Sequence, residues 1–253
     1  MTAPVFVVQP GELAGVRAGA SWTLTGPEAR HAGSVQRLRA GEPIEVVDGV
    51  GTRLRGEVTE GSGPAAVVIS VLEVNQEERL LPRLTLVQAL AKGGRDEMAI
   101  EAATELGVDA VRPWQSERSV VQWRGEKAAK GEQRWRSLVH AASKVARRSW
   151  LPEVLPFVRG AAMVDTVAEA VAGGAVVLVL HEVATSPLVD VPLDGVDEVM
   201  IVIGPEGGIS DGEIDAVVGA GARAVLLGPN VLRSSTAGPA AMAVLASRLG
   251  RWS

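Results

Sequence analysis

The stretch Val199-Met-Ile-Val-Ile-Gly-Pro-Glu-Gly-Gly208 joins an apolar run to a glycine-rich turn, and it predicts a helix beginning at Ser210. The same design follows shortly afterwards, where Ala224-Val-Leu-Leu227 precedes Gly228-Pro-Asn230 and a second predicted helix. In open parallel sheets, ligands bind beyond the carboxyl ends of the strands, where glycines let the main chain approach them closely. The two loops therefore predict one ligand pocket that is lined mostly by main chain.

Composition limits the classes of protein that remain. The chain has 253 residues, 47% hydrophobic content and a formal charge of -5, which excludes a globally basic nucleic-acid binder and requires a local patch for any RNA contact. It has no cysteine, which excludes disulfides and zinc–thiolate sites and favours a reducing compartment. The first residues lack the basic segment of a signal peptide, and the apolar runs are shorter than the roughly 20 residues of a membrane span. We expect a cytoplasmic protein without membrane association.

The pattern of the chain changes near residue 75. Short β-type runs between Val5 and Val74, separated by turn signals such as Asp48-Gly49, predict a small antiparallel barrel. Beyond Pro82, strand-like and helix-like segments alternate, which is typical of βαβ units and a mainly parallel sheet. We expect one domain over residues 1–75 and an α/β domain over residues 76–253.

The segment Gly208-Ile-Ser-Asp-Gly212 matches the G-x-S-x-G pattern of serine hydrolases, but the chain does not support that function. In α/β-hydrolases the histidine follows the serine, whereas all three histidines, His31, His140 and His181, precede Ser210. Ser210 and Glu213 instead have the spacing of a capping box at a helix start. The histidines are scattered, so no metal site is expected.

A cluster of cations lies between Trp123 and Trp150. A helix from about Lys127 to Arg147 would turn Leu138, Val139, Ala142 and Val145 inward and its charges outward. Such a run is more often a solvated face, although in an acidic protein it is also a reasonable footprint for a phosphate backbone. With two Phe and no Tyr, recognition would depend on shape and backbone and not on base stacking.

Six motifs occur in a fixed order along the chain: Gln88-Ala-Leu-Ala-Lys-Gly93, Ala103-Thr-Glu-Leu-Gly107, Ser116-Glu-Arg-Ser119, Leu180-His-Glu182, Ile203-Gly-Pro-Glu-Gly-Gly208 and Leu227-Gly-Pro-Asn-Val-Leu-Arg233. Together they resemble the RsmE-type 16S ribosomal RNA uridine-N3 methyltransferases of the SPOUT superfamily, and the resemblance covers nearly the whole chain. It implies an N-terminal PUA-like barrel and a C-terminal α/β domain with a deep trefoil knot, the knot and its cofactor site lying at about residues 178–249. It also implies S-adenosylmethionine as methyl donor, the small-subunit 16S ribosomal RNA or its late precursor as substrate, and a homodimer with the active site near the subunit interface.

The resemblance also suggests roles for particular residues. The residues expected to enclose the cofactor are Leu180, His181, Glu182, Gly204, Pro205, Glu206, Gly207, Gly208, Leu227, Gly228, Leu232 and Arg233. Because negative charge develops on the uracil carbonyl oxygens when N3 loses its proton, a cation directed at them would help most, and Arg233 is the candidate. Further catalytic candidates are Lys92, Glu105 and Arg118, which together with Glu117 could position the RNA or assist proton removal. The candidates for RNA contact are His31, Arg37, Arg39, Arg134, Arg147 and Arg148. The catalytic base is not assigned.

Two departures from the family pattern and two other functions bear on this interpretation. The chain begins Pro4-Val-Phe-Val7 where the family has an arginine beside aromatic residues, and it has Ser234-Ser-Thr-Ala237 where the family has Thr-Glu-Thr-Ala. A catalytic glutamate at that point cannot apply here. The alternatives are a ribose 2′-O methyltransferase of the same superfamily and a non-catalytic ribosome assembly factor. We expect valine at Gly204 or Gly228 to abolish donor binding in a protein that still folds, and glutamate at Arg147 and Arg148 to weaken RNA binding.

Overall fold

The computed structural model describes residues 3–59, 62–63 and 65–252. The chain divides into two compact units, one within residues 1–79 and 143–151 and the other within residues 80–142 and 152–253. The domain boundary after residue 75 stays a prediction. The compact units divide the chain in another way, because the distant segment of residues 143–151 belongs to the first unit.

The first unit contains a five-stranded sheet in the order β1-β3-β4-β5-β2. Its strands are β1 (Val5–Val7), β2 (Ser21–Thr25), β3 (Pro43–Val47), β4 (Thr52–Val58) and β5 (Ala66–Gln76). The predicted antiparallel arrangement is wrong for one pair, because β1 runs parallel to β3, whereas the remaining pairs are antiparallel. After β2 come helix α1 (Gly26–Arg30) and a π-helical turn over His31–Val35.

The predicted turn at Asp48-Gly49 joins β3 to β4. The Asp48 carboxylate accepts hydrogen bonds from the main-chain N–H groups of Val50 and Thr52, at 3.0 and 2.9 Å. Gly49 has a φ of +74°, which glycine adopts without a steric penalty. The turn is therefore fixed by local chemistry, and it brings the apolar faces of both strands into one core, in which Val46 and Leu54 are fully buried.

Residues 143–151 join the first unit through polar contacts. Arg53, buried to 9% side-chain exposure, donates to the Arg147 carbonyl at 2.8 Å and pairs with Glu45 at 2.8 Å. Arg147 also pairs with Glu45, at 3.1 Å, and Lys144 pairs with Glu28 at 2.7 Å. Removing one partner of a buried ion pair leaves an unpaired charge and costs about 3–5 kcal/mol, so loss of Arg53 or Glu45 alone should destabilise the unit.

The second unit contains a seven-stranded sheet in which the order is β12-β10-β11-β6-β7-β8, and β9 also pairs with β7. Its strands are β6 (Arg83–Ala89), β7 (Ala110–Gln115), β8 (Glu153–Val154), β9 (Val158–Arg159), β10 (Val176–Leu180), β11 (Glu198–Ile203) and β12 (Arg223–Val225). Each pairing described for this sheet is parallel, which confirms the predicted parallel sheet.

Helices cover both faces of this sheet. They are α2 (Arg95–Glu105), α3 (Glu126–Val145), α4 (Ala162–Ala172), α5 (Asp211–Gly219) and α6 (Ser234–Arg248), with short 3-10 turns at Lys92–Gly94 and Leu188–Asp190. Alternate strand residues point to opposite faces. Leu86 accordingly packs in the core that includes α2 and α6, whereas Val87 packs in the core that includes α4 and α5. In the described part of the chain, no helix is long and apolar enough to cross a membrane.

Helix α3 differs from its sequence prediction at one residue. Val139 and Ala142 are buried as predicted, but Val145 is 74% exposed. Val145 is the last residue of the helix, so it lies beyond the part that packs on the core. Trp135, which is 1% exposed, supplies the large buried side chain of this helix instead.

Candidate functional site

The three predicted cofactor motifs meet at one edge of the parallel sheet. Strands β12, β10 and β11 are neighbours and parallel, so their carboxyl ends open onto the same edge. The loops that follow them enclose a cavity of about 700 Å³. Its lining includes all twelve residues predicted to hold the cofactor: Leu180, His181, Glu182, Gly204, Pro205, Glu206, Gly207, Gly208, Leu227, Gly228, Leu232 and Arg233.

The glycine loop after β11 is a tightly packed wall of this cavity. A Cβ on Gly204 would lie 2.6 Å from Cγ1 of Ile209, a distance that real Cβ atoms do not show. Gly208 adopts a φ of +72° and donates its N–H to the Pro205 carbonyl at 2.9 Å, which closes the turn. Valine at Gly204 would therefore have to displace Ile209. The structure does not support the expectation that this variant still folds.

Helix α5 begins directly after this loop. The Ser210 hydroxyl accepts from the Glu213 N–H at 3.3 Å, and the Glu213 carboxylate accepts from the Ser210 N–H at 3.2 Å. This reciprocal pair confirms the predicted capping box. Glu213 also accepts from the N–H of Glu117 at 2.7 Å, so the cap additionally holds the loop that follows β7.

Glu206 ties the same wall to the start of α2. Its carboxylate accepts from the main-chain N–H of Lys92 at 3.0 Å and from the Arg95 guanidinium at 2.9 Å. Arg95 lines the cavity, and the sequence interpretation missed it because no motif distinguishes it from a surface arginine near a helix start. Lys92, a catalytic candidate, contributes its main chain to this contact and is not among the lining residues.

Arg118 covers the wall from the loop after β7. Its guanidinium donates to the Gly207 carbonyl at 3.2 Å, and a Cβ on Gly207 would lie 3.3 Å from the Cβ of Arg118. Arg118 lines the cavity. Glu105, by contrast, is the exposed last residue of α2 and is not part of the lining.

The loop after β12 is far more open. A Cβ on Gly228 would meet no atom within 4 Å, so a side chain there would extend into free space. Val231 and Leu232 are 77% and 39% exposed. Arg233 is the exposed N-cap of α6, and across the described residues its guanidinium forms no hydrogen bond or ion pair. This loop therefore offers the cavity its freest side chains.

One buried carboxyl lies close to the Arg95 contact. Asp96, which is 6% exposed, is the second residue of α2. Burial raises its pKa to about 6, although main-chain N–H groups of Ala91 and Glu97 act in the opposite direction. Asp96 is not among the cavity-lining residues. Its position suggests that it fixes the Ala91–Arg95 segment that holds Glu206.

The six candidates for RNA contact are in different situations. Arg37 and Arg39 are exposed, and no ion pair of their side chains is present in the described ranges. Arg134 pairs with Glu97 at 2.6 Å, and Arg148 donates to the Trp150 carbonyl at 3.1 Å. His31 is half-buried, with its ring edge-on to a phenylalanine. Because Arg147 already pairs with Glu45, charge reversal at Arg147 would test the fold of the first unit as well as RNA binding.

The fold and site together define a class: a protein with a small β-rich unit and a parallel α/β unit whose glycine loops form a cofactor-sized cavity. Among the residues that the structure describes, no three His, Asp or Glu side chains group closely enough to hold a metal ion. Residues 77–246 match the model of the RNA methyltransferase domain, and residues 24–70 match that of the RNA methyltransferase PUA domain. The chain belongs to this RNA methyltransferase family, with a PUA-like first domain and a parallel-sheet methyltransferase domain.

Named relatives support this membership. The Ribosomal RNA small subunit methyltransferase E of Mycobacterium bovis is 43% identical over 92% of this chain and 89% of its own length. The protein of the same name from Bacillus subtilis is 28% identical over 86% of each chain. A crystal structure of the Neisseria gonorrhoeae methyltransferase E, bound to S-adenosyl methionine, matches with a TM-score of 0.82 and 27% identity over 98% of both chains.

Proposed function

We propose that this protein transfers the methyl group of S-adenosylmethionine to N3 of a specific uridine in the 16S ribosomal RNA of the small subunit or its late precursor. The observation that carries the proposal is that three separate motifs of a methyltransferase family line one cavity together at the sheet edge. The 43% identical relative carries the name of a small-subunit ribosomal RNA methyltransferase, which supports the choice of substrate.

The cavity fits the proposed cofactor. Its volume of about 700 Å³ lies within the roughly 300–1,000 Å³ usual for small-molecule sites. Gly228 leaves free space where a side chain would stand, and the loops present main-chain groups that suit an adenine ring and an amino-acid moiety. The residues that would hold the cofactor are those of the His181–Glu182, Gly204–Gly208 and Leu227–Leu232 segments. When bound, S-adenosylmethionine supplies an electrophilic methyl group.

The chemistry expected of the protein concerns charge on the uracil. When the N3 proton leaves, negative charge develops on O2 and O4, and a preorganised cation beside either oxygen lowers the barrier. Arg233 is suited to this role because its guanidinium is exposed at the cavity and has no partner within the described chain. Arg118 is held against Gly207 and is better suited to positioning the RNA or the loop. No residue is assigned as the base, and catalytic roles for Lys92 and Glu105 stay predictions.

The proposal includes a homodimer, and exposed apolar side chains support it. Val183 and Val231, both in the lining of the cavity, are 74% and 77% exposed, and Leu232 is 39% exposed. Clustered apolar surface of this kind commonly marks an interaction site. A second copy of the chain would cover these residues and exclude water from the reaction. The trefoil knot also stays part of the proposal. A cytoplasmic location is proposed as well, because ribosomal RNA is the proposed substrate.

A comparison of ribosomal RNA from strains with and without the gene tests the reaction. Methylation at N3 blocks the Watson–Crick edge and stops reverse transcription at one uridine, whereas ribose methylation protects one linkage from alkaline cleavage. We expect a stop that disappears without the gene and returns when it is restored. Protection without a stop would instead favour ribose methylation. The absence of both, in a protein that binds no S-adenosylmethionine, would favour an assembly factor.

A further inference from the structure

A second cavity lies in the methyltransferase unit, at the carboxyl end of β7 and beside the starts of α4 and α5. Its volume is about 630 Å³. Its inner wall is backed by apolar core side chains, since Trp114, Met163 and Val217 line it but are only 1%, 1% and 3% exposed, and the half-buried Val164 adds accessible apolar surface. The indole N–H of Trp114 has no hydrogen-bond partner within the described chain. A solvent-open space of this size with an apolar inner wall can hold a flat ring.

Three polar side chains stand on the rim of this cavity. They are Glu117, Gln122 and Arg159, all exposed, and the described residues provide no partner for these side chains. The neighbouring Glu213 differs, because its carboxylate is occupied by Ser210 and by the Glu117 N–H. The rim therefore offers a carboxylate, an amide and a guanidinium to a ligand.

The second cavity is adjacent to the proposed donor pocket. Glu117 lines the second cavity, and the next residue, Arg118, lines the donor pocket. In the same way, Gly212 lines the second cavity, and the preceding residue, Asp211, lines the donor pocket. Consecutive Cα atoms are about 3.8 Å apart, so at two places a single residue step of main chain separates the two linings. A ligand in the second cavity would lie beside the Arg118 and Asp211 side of the donor pocket.

We infer that this second cavity binds the base of a nucleotide neighbouring the target uridine in the RNA, with a preference for guanine. The apolar wall suits the face of a base, and bases splayed out of a single strand are recognised by stacking and by hydrogen bonds to their edges. A free carboxylate only accepts hydrogen bonds, and guanine presents two adjacent donors, N1–H and N2–H, where uracil presents one. Arg159 would pair with a phosphate. This inference rests on the proposed function, since it assigns a specificity subsite for the same RNA.

Two glycines of α5 provide a matched test. A Cβ on Gly212 or on Gly219 would meet no atom within 4 Å, and leucine favours a helix more than glycine does. Gly212 lines the second cavity and Gly219 does not. We expect Gly212→Leu to lower kcat/KM for small-subunit particles, and their binding affinity, by about tenfold or more, the scale of one lost base-stacking contact. Gly219→Leu should match the wild type, and both variants should bind S-adenosylmethionine normally.

Substitution of the RNA identifies the occupant. The nucleotides flanking the methylated uridine are changed one at a time, and the affinity of each particle is measured for the wild type and for Gly212→Leu. At one position, the change should weaken binding of the wild type but should not weaken binding of Gly212→Leu any further. Such non-additivity is expected of two changes that remove the same contact. Equal affinities of Gly212→Leu and Gly219→Leu for RNA, or fully additive effects at both flanking positions, would overturn the inference. So would tight binding of free guanosine monophosphate that leaves RNA affinity unchanged. Because affinity is measured separately, failure of methyl transfer alone would count against the proposed function and not against this cavity.

Discussion

The loops after β11 and β12 share a sequence design, yet they differ in what their glycines do. In the first loop, Gly204 makes room for Ile209 of the protein itself, and Glu206 and Gly207 are held by Arg95 and Arg118. In the second loop, Gly228 borders open space and Arg233 projects without a partner in the described residues. A glycine in such a turn can therefore make room either for a neighbouring side chain or for a ligand, and only the surrounding atoms show which of the two applies.

The largest effect is expected at the open loop, in catalysis. Arg233→Ala should lower the rate of methyl transfer to small-subunit particles by about a hundredfold or more, because one preorganised charge partner of the uracil oxygens is lost. Affinity for S-adenosylmethionine should change much less, and Arg233→Lys should recover part of the rate. Near-normal turnover of Arg233→Ala would remove this residue from the mechanism.

A second effect concerns the segment that anchors the packed loop, and it depends on pH. The pKa of Asp96 is raised to about 6 from 3.8, so between these values the folded protein binds the proton that the unfolded chain has released. The stability contributed by this group is complete below pH 4 and is lost as pH rises to 6, by about 3 kcal/mol. Denaturant titrations at pH 4 to 8 measure the free energy of unfolding of the wild type and of Asp96→Asn. As pH rises, the wild type should lose stability relative to Asp96→Asn. A difference that does not vary with pH would show that the Asp96 pKa is ordinary.

Alanine substitution distinguishes the two glycines by stability. Gly204→Ala should lower the free energy of unfolding by about 1–3 kcal/mol, the usual cost of overpacking, because its Cβ would meet Ile209. Gly228→Ala should leave stability unchanged, and it is the matched control because its Cβ meets no atom within 4 Å. Thermal unfolding without ligand measures both variants. Equal stabilities would show that the two loops do not differ in the way their packing indicates.

The smallest effect is expected for the ion pair of the packed loop. Glu206→Gln keeps an acceptor for the Lys92 N–H but loses the charge opposite Arg95. Both partners are partly exposed, so the loss should be about 1 kcal/mol or less in unfolding free energy. Glu101→Gln, on an exposed position of α2, serves as the control. A loss several times larger than this would mean that the pair, and not the packing around Ile209, holds the loop.

The sequence predicted the elements whose signals are local. The turn at Asp48-Gly49 lies where the sequence predicted it, because the Asp48 carboxylate and the glycine conformation act over a few residues. The capping box of Ser210 and Glu213 was predicted equally well, because it also depends on short-range chemistry. All twelve predicted cofactor residues line one cavity, since parallel strands that are neighbours in a sheet bring their following loops together.

Features that depend on distant partners could not be predicted. Arg147 resembles any other cation of its cluster until Glu45, about a hundred residues away in the chain, is placed beside it. Arg95 and Glu206 are separated by a similar distance in sequence and belong to no shared motif. The parallel pairing of β1 with β3 likewise arises from the tertiary arrangement and not from either strand alone.

Titration of S-adenosylmethionine by calorimetry tests the central claim, that the open loop after β12 faces the methyl donor. The wild type and Gly219→Val, whose new side chain would stand outside the cavity, should bind with equal affinity. Gly228→Val should unfold like the wild type yet bind about a hundredfold more weakly, since a side chain forced against the ligand costs roughly 3 kcal/mol. Unchanged affinity of a folded Gly228→Val, or no binding by the wild type, would contradict the account.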